Sequence, residues 1–523
     1  MTMHQAGRKR VLIVNCYLDE TRRDVARAGK VPQTIGPLFL AGWFHPDRWD
    51  IRLHNEHSDG PLEDEALLGW PDLVVLTGLT TSLDRLRQIT AYVRSLNPRV
   101  VVVGGGHVAR AFPSYCATFL DVVCQGDVEE IGDVIAGLYG PDYAAGEMGF
   151  RYDLAPWIGR VGYVESTRYC NFKCDFCILT AEGRRYQPHG LDFFRRQLSA
   201  LGQRRILAFV DNNFYGSDRK SYEARLEVIR EAWQAGQFKY WVALVTGDFF
   251  LDDRNVTRAR ENGCRGLFSG VESFDPDWVA DHNKRQNGGK APVELIRSCL
   301  EQGVIFTYGL ILDIYTRPIA EIRRELEFVL GCDEITLPGF LSLPIPYPGT
   351  PHFYRALDAG TLLPGTRIRD LDSTTITARP LDPMAEAVAF VRDLQSMRGY
   401  RTKVLRHGLR FARRYRRHLS AEQLGLCLAN GALLCAPLLA TLPSRLGSAT
   451  GARTYVSTTE PLDRVYRPAF RVASQYASHF HPTFLTDADG GLSEAISEDV
   501  LRGRPGARQA TATPVVLQAA TRH

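Results

Sequence analysis

The chain has 523 residues, of which 45% are hydrophobic and 23% charged, with a formal net charge of +4. That length accommodates about two to three domains with ample core, and so small a charge excludes an obligate polyanion partner, so no nucleic acid is expected. Eleven cysteines would suit a secreted disulfide scaffold only in a much shorter chain, which makes a reducing, cytoplasmic setting the expected one.

The basic N-terminus leads into Val11–Val14, an apolar run too short for a signal peptide and suited to a first buried strand. A strand around Trp49–Leu53 and apolar runs at Leu73–Leu76, Val100–Val103 and Val122–Cys124 follow, with helical stretches at Leu83–Leu96 and Val128–Leu138 between them. This alternation predicts an α/β fold with a doubly wound, flavodoxin-like parallel sheet over residues 1–140. Such sheets bind ligands beyond the carboxyl ends of their strands. Three loops fall there: Val31-Pro32-Gln33-Thr34, Gly78-Leu79-Thr80-Thr81-Ser82 and Gly104-Gly105-Gly106-His107. Their glycines would let the backbone approach a bulky ligand, although each loop taken alone reads first as a tight strand-to-helix turn.

Residues 141–160 read as a linker. Strand-like segments then recur at Gly162–Ser166, Ile206–Asp211, Trp241–Thr246, Gly266–Gly270, Ile305–Leu312 and Glu334–Leu337. With helical segments between them they predict a partial (β/α)6 barrel over 161–385, whose active site would lie at the carboxyl ends of the strands. Just past the first of these strands, Cys170, Cys174 and Cys177 form a C-x3-C-x2-C run with Phe176 before the last cysteine. Three thiolates so spaced can each hold one iron of a [4Fe-4S] cluster, leaving one iron open for chemistry. A structural zinc loop would need a fourth ligand, and the nearest, His189, stands well past Cys177 with no second C-x2-C to follow. Three unrelated buried thiols are the remaining alternative. Asp211-Asn212-Asn213-Phe214 follows the second strand and Ser269-Gly270-Val271-Glu272-Ser273 the fourth. The first is also readable as an Asn-rich turn. In the second, a strand-end carboxylate at Glu272 can hold a ribose diol or an ammonium, and Gly270 lets an adenosyl group approach.

Residues 386–502 read as a mainly helical region capping the barrel. Arg401–Arg417 is strongly basic and reads as a solvated face, because the aromatic interleaving of a nucleic-acid site is slight. Gly425–Leu442 is apolar for about the length of a membrane span. Interrupted by Asn430, Gly431 and Pro437, it reads as a buried core helix broken at Pro437 in preference to a membrane-docked segment with basic flanks. Residues 503–523 read as a disordered tail.

The cysteine run resembles the signature of the radical S-adenosylmethionine (SAM) enzymes. In that family the open iron is chelated by the amino and carboxylate groups of SAM, which is cleaved to methionine and a 5′-deoxyadenosyl radical. Further matches occur in the family's order: Asp211–Phe214, Ser269–Phe274, Lys284-Arg285-Gln286-Asn287 and Leu343–Pro351. The resemblance implies Cys170, Cys174 and Cys177 as cluster ligands and Phe176 with its backbone against the adenine. It implies Asn213, Gly270 and Glu272 as contacts to SAM. The first block, with Cys124-Gln125-Gly126-Asp127-Val128-Glu129-Glu130 closing it, is similar to the cobalamin-binding domain found ahead of many radical SAM domains. That likeness implies Gln33, Thr80, Gly105, Gly106 and His107 as cobalamin contacts. Asn15-Cys16-Tyr17-Leu18-Asp19 stands where cobalamin proteins with a histidine lower ligand carry Asp-x-His-x-x-Gly, so the cobalt would lack a protein histidine.

The resemblance implies methylation of an unactivated carbon in a small molecule, a lipid or a natural-product intermediate. The cofactors would be a [4Fe-4S] cluster, SAM and cobalamin, with an external electron donor such as flavodoxin or ferredoxin. A non-methylating rearrangement, cyclisation or oxidation keeps the same cofactors. An RNA methylthiotransferase would need a second cluster, and the spacing of Cys16, Cys116 and Cys124 fits one poorly. A non-catalytic zinc protein is the plainest alternative.

Overall fold

Continuous apolar runs in this chain become strands buried on both faces, as a parallel sheet covered by helices requires. Strand β1 (Lys9–Cys16) buries Val11 to Val14 completely. It lies between β2 (Trp49–Asn55) and β3 (Leu73–Gly78), followed by β4 (Val101–Gly105) and β5 (Val122–Val123), in the spatial order β5-β4-β3-β1-β2. All four pairings are parallel, which is the expected flavodoxin-like arrangement. The computed structural model describes residues 8–17, 34–392, 399–434, 455–457, 468–504 and 515–516. These divide into two units: Met1–Ile158 with Leu362–Asp372 and Ser457–His523, and Gly159–Thr361 with Ser373–Val456.

In the first unit Val11, Ile13, Trp49, Leu73, Val75, Val103, Ile131 and Ile135 form one core. The Trp49 indole N–H donates to the Tyr143 carbonyl at 2.9 Å, so residues expected to be linker are packed onto this unit. The helix Leu83–Leu96 has the expected ends, and its polar side chains Asp84, Arg85, Arg87, Gln88 and Thr90 are all buried. Arg85 pairs with Glu56 at 2.6 Å. Residues far along the chain bond two others: Thr483 donates to Asp84 from its backbone N–H (3.0 Å) and hydroxyl (2.7 Å), and Arg87 Nε donates to the His479 carbonyl (3.2 Å). The expected single helical C-terminal region is therefore split between the units. At the sheet edge Val515–Val516 pairs antiparallel with β5, a strand inside the segment expected to be a disordered tail.

In the second unit β6 (Val161–Val164), β9 (Ile206–Phe209), β10 (Tyr240–Leu244), β11 (Cys264–Glu272), β12 (Ile305–Ile311) and β13 (Phe340–Ser342) are neighbours in that order. All pair in parallel, giving the partial barrel. Between β6 and β9, β7 (Thr167–Arg168) and β8 (Gln187–Pro188) form a small antiparallel pair. The sixth barrel strand is displaced from the expected Glu334–Leu337. Ile335, Thr336 and Leu337 are buried, yet Pro338 has no N–H for a ladder. Thr336 is held by side chains instead: its hydroxyl donates to the Phe306 carbonyl (2.6 Å), and its carbonyl accepts from the Tyr308 hydroxyl (2.8 Å). Pairing starts only with the Gly339 N–H on the Tyr308 carbonyl. The helices Tyr400–Tyr415 and Ala421–Leu434 belong to this unit. The second is not the expected buried core helix, since Leu426 and Leu428 are exposed; Pro437 lies outside the described residues. Among those residues no helix is long and apolar enough to cross a membrane.

Candidate active site

Pairing of β7 with β8 closes residues 169–186 into a loop that carries all three clustered cysteines. Tyr169 enters it at φ +62°, a left-handed conformation that costs a non-glycine residue roughly 1–2 kcal/mol. At the loop's base Glu165 accepts from Arg168 Nε and pairs with His189 Nε2, both at 2.6 Å. Burial pushes the Glu165 carboxyl up, but His189 and Arg168 together hold its pKa below the usual range. Ser166 donates to Asp211 from its backbone N–H at 2.7 Å and from its hydroxyl at 2.5 Å. Burial outweighs those bonds and pushes Asp211 up to about 6. Asn213 donates from Nδ2 to Asn171 at 2.6 Å, and its carbonyl accepts from the Thr167 hydroxyl at 3.0 Å. The turn after β9 thus grips the cysteine loop, and Asn213 Oδ1 is left buried without a partner among the described residues.

Cys174 is buried, and Cys170 and Cys177 are half-buried. Burial raises the Cys170 thiol and pushes Cys177 to about 11, with the neighbouring cysteines adding to both. Among the described residues no three His, Cys, Asp or Glu side chains converge closely enough to hold one metal ion. A cubane cluster needs no such convergence, because each thiolate binds a different iron; a four-ligand zinc loop does need it. His189, the nearest fourth zinc ligand in sequence, is held by Glu165 and stacked on Phe193 at 4.3 Å. The donor set, three thiols on one short loop with the nearest histidine held by Glu165, is one that suits a cluster better than a four-ligand zinc site.

The end of β11 faces this loop through a turn that sequence reasoning named without assigning roles. The ladder with β12 shifts register between Gly270 and Glu272, and Glu272 sits at φ +63°. Asn287 Nδ2 donates to the Gly270 and Val271 carbonyls freed by this bulge, at 2.8 and 3.1 Å. Lys284 Nζ donates to Glu272 at 2.5 Å, and Gln286 Nε2 donates to the Cys174 sulfur at 3.2 Å. Burial disfavours the Lys284 charge, but Glu272 outweighs it and raises the lysine pKa. A Cβ at Gly270 would collide with Glu272 and Lys284. Phe176 stacks on Trp278 with centroids 6.1 Å apart, and the Lys284 ammonium lies 5.7 Å from the Phe176 ring centre. Cys170, Cys174, Cys177, Phe176, Asn213, Gly270 and Glu272 are thus linked in one constellation. Around it Asn213 Oδ1, Gln286 Oε1 and Asp175 Oδ1 are buried acceptors without partners among the described residues, a lining that fits a polar ligand rich in donors such as the ammonium of SAM.

In the first unit Thr80, Gly105, Gly106 and His107 lie at the carboxyl ends of β3 and β4, while Gln33 falls outside the described residues. The Thr80 hydroxyl is buried without a partner among the described residues, and Leu79 beside it is exposed. The turn Ile368–Asp370 packs against Thr80–Ser82. Gly106 sits at φ +86°, and a Cβ there would meet Thr77 Oγ1 at 2.8 Å, so this glycine serves the turn itself. After β1, Tyr17 packs edge-on against His57 at 4.5 Å. The partnerless hydroxyl beside an exposed leucine fits a ligand with both polar and apolar parts.

Residues 164–329 match the model of the radical SAM superfamily. A curated relative, bacteriochlorophyllide d C-12(1)-methyltransferase of Chlorobaculum tepidum, is 24% identical over 199 residues, covering 37% of this chain and 42% of the relative. The chain thus spans less than half the length of that protein. Among solved structures, the radical SAM methyltransferase TsrM of Kitasatospora setae, with cobalamin and a [4Fe-4S] cluster bound, superposes with a TM-score of 0.50 at 16% identity. That match covers 69% of this chain and 80% of TsrM, and likeness at such identity shows a shared fold. The cysteine loop, the bulged β11 and the turn joining them fall within or beside the matched residues: this chain carries a radical SAM domain.

Proposed function

We propose that this protein is a cobalamin-dependent radical SAM enzyme that methylates an unactivated carbon of a small molecule, a lipid or a natural-product intermediate. The observation that carries the reading is the Cys170–Cys174–Cys177 loop, bound through Gln286 and Lys284 to the end of β11, in a chain that also contains a flavodoxin-like unit. It is supported by the curated relative's name as a methyltransferase and by the cobalamin and cluster bound in TsrM. When bound, a [4Fe-4S] cluster with SAM supplies an adenosyl radical and cobalamin a transferable methyl group.

The chain's own residues supply position and exclusion of water. The three thiols lose their protons to become metal ligands. Glu272, oriented by Lys284 at the bulge, is the carboxylate for a ribose diol or an ammonium, and Asn213 Oδ1 is a second acceptor. Phe176, held on Trp278, forms an apolar wall. Thr80, Gly105, Gly106 and His107 are the expected cobalamin contacts. Electrons would come from an external donor of the flavodoxin or ferredoxin kind.

The test incubates anaerobically reconstituted protein, reductant and SAM carrying a trideuterated methyl group with extracted metabolites and lipids. The expected result is a product bearing the labelled methyl, absent with Cys174→Ala. Formation of 5′-deoxyadenosine with no label in any product would assign the protein to the non-methylating class.

A further inference from the structure

The helix Tyr400–Tyr415 has three sides of different character. Tyr400, Val404, His407, Phe411 and Tyr415 are buried, and His407 and the Tyr415 hydroxyl bond the Ile335 and Glu334 carbonyls at 3.1 and 2.6 Å. On one flank Lys403, Arg410 and Arg414 pair with Glu327, Asp333 and Glu334. The remaining side is turned to solvent, and on it Leu405 and Leu409, one turn apart, are 69% and 75% exposed. The helix Ala421–Leu434 lies alongside, where a Cβ on Gly408 would come within 3.2 Å of Leu428. It adds Leu426 and Leu428, 53% and 40% exposed.

Helical spacing sets Arg401, Arg406 and Arg413 along the borders of Leu405 and Leu409, and Arg416 and Arg417 follow at the C-terminal end of the helix. All five arginines are exposed and have no ion-pair partner among the described residues. Between Tyr400 and Leu434 the sole acidic residue is Glu422, which already binds Arg205 at 2.7 Å and Lys239 at 3.1 Å. The face therefore combines exposed aliphatic side chains with uncompensated positive charge. A solvated face explains the arginines but not the leucines, and a self-contained core explains neither.

We propose that this face docks the protein on an anionic lipid bilayer, with the leucines entering the interface and the arginines contacting headgroup phosphates. The charge selects an anionic partner. Exposed leucines flanked by arginines on one helix are the pattern of a segment that lies in a bilayer interface, which selects lipid over an acidic protein. The docking is proposed as peripheral, since among the described residues no helix is long and apolar enough to cross a membrane, and is independent of the catalytic reading.

The test is flotation of the full-length holoprotein with vesicles of phosphatidylcholine alone or of equal parts phosphatidylcholine and phosphatidylglycerol. About tenfold more protein should float with the anionic vesicles, and raised salt should reverse most of the gain. Leu405→Glu/Leu409→Glu and, separately, Arg413→Glu/Arg416→Glu/Arg417→Glu should each abolish flotation with iron content and circular dichroism unchanged, since all five side chains are exposed. Equal recovery with both vesicle types, absence of flotation, or variants that float like the parent would overturn the proposal. A vesicle-free dimer that the leucine variant dissolves, without flotation of the parent, would assign the face to a second copy of this chain.

Discussion

Gln286 shows what a single side chain contributes at the cysteine loop. A hydrogen bond to a ligand sulfur stabilises the more negative, reduced state of a cluster, so Gln286→Leu should shift the cluster potential to more negative values. An EPR-monitored redox titration measures this; an unchanged potential at unchanged iron content would show that the 3.2 Å contact to Cys174 does not act on the cluster. Replacing Cys174 by Ala should go further and lower iron from about four per chain to near none. Asp211 gives a pH signature. Its pKa is raised by folding to about 6, so the native state keeps a proton that the unfolded chain has lost, and stability falls as pH rises from about 4 to about 6. The size is at most about 3 kcal/mol, and Asp211→Asn should flatten that slope in urea unfolding at pH 4.5 and 6.5, whereas a slope as steep as the parent's would assign it elsewhere. Glu165, with its pKa lowered, contributes in the opposite sense: its stabilisation is present above the ordinary carboxylate range and lost below it. The cysteines were legible in the sequence because ligand spacing is local. The Gln286–Cys174 contact joins residues 112 positions apart, and the left-handed turn at Glu272 has no glycine to announce it, so neither could be read from pattern.

Among the secondary-structure elements, legibility followed burial. β1 and β3 are buried on both faces and stand out as unbroken apolar runs, and the helix Leu83–Leu96 shows its ends plainly. β13 was misplaced because Ile335 to Leu337 are as buried as a strand would be, while Pro338 prevents the ladder from forming there. Nothing local to Leu83–Leu96 reveals that Thr483 and His479 bond its polar side chains. Replacing Thr483 by Val removes the hydroxyl bonded to Asp84 at 2.7 Å and should destabilise the first unit by about 1–3 kcal/mol, read as a shifted urea midpoint. A midpoint within error of the parent would mean that the Thr483 backbone N–H and Arg87 suffice to satisfy Asp84. Asn287→Ala similarly strips the donor from two strand carbonyls and should weaken the β11 bulge by about as much.

At the scale of the whole molecule, the first unit is assembled from three separate stretches of chain, Met1–Ile158, Leu362–Asp372 and Ser457–His523. Composition and periodicity do not encode such returns, which is why residues 386–502 read as one helical block. Ending the chain at Val456 should therefore loosen the first unit selectively. Amide exchange in Leu83–Leu96 should rise sharply while the barrel strands keep their protection; unchanged exchange in that helix would contradict the covering role of Thr483 and His479. The two-cofactor reading of the assembled chain is tested most directly by iron, sulfide and cobalt analysis of one sample reconstituted anaerobically with cobalamin supplied. About four irons, four sulfides and one cobalt per chain are predicted. Four irons with no cobalt would contradict cobalamin dependence and leave a radical initiator without a methyl carrier.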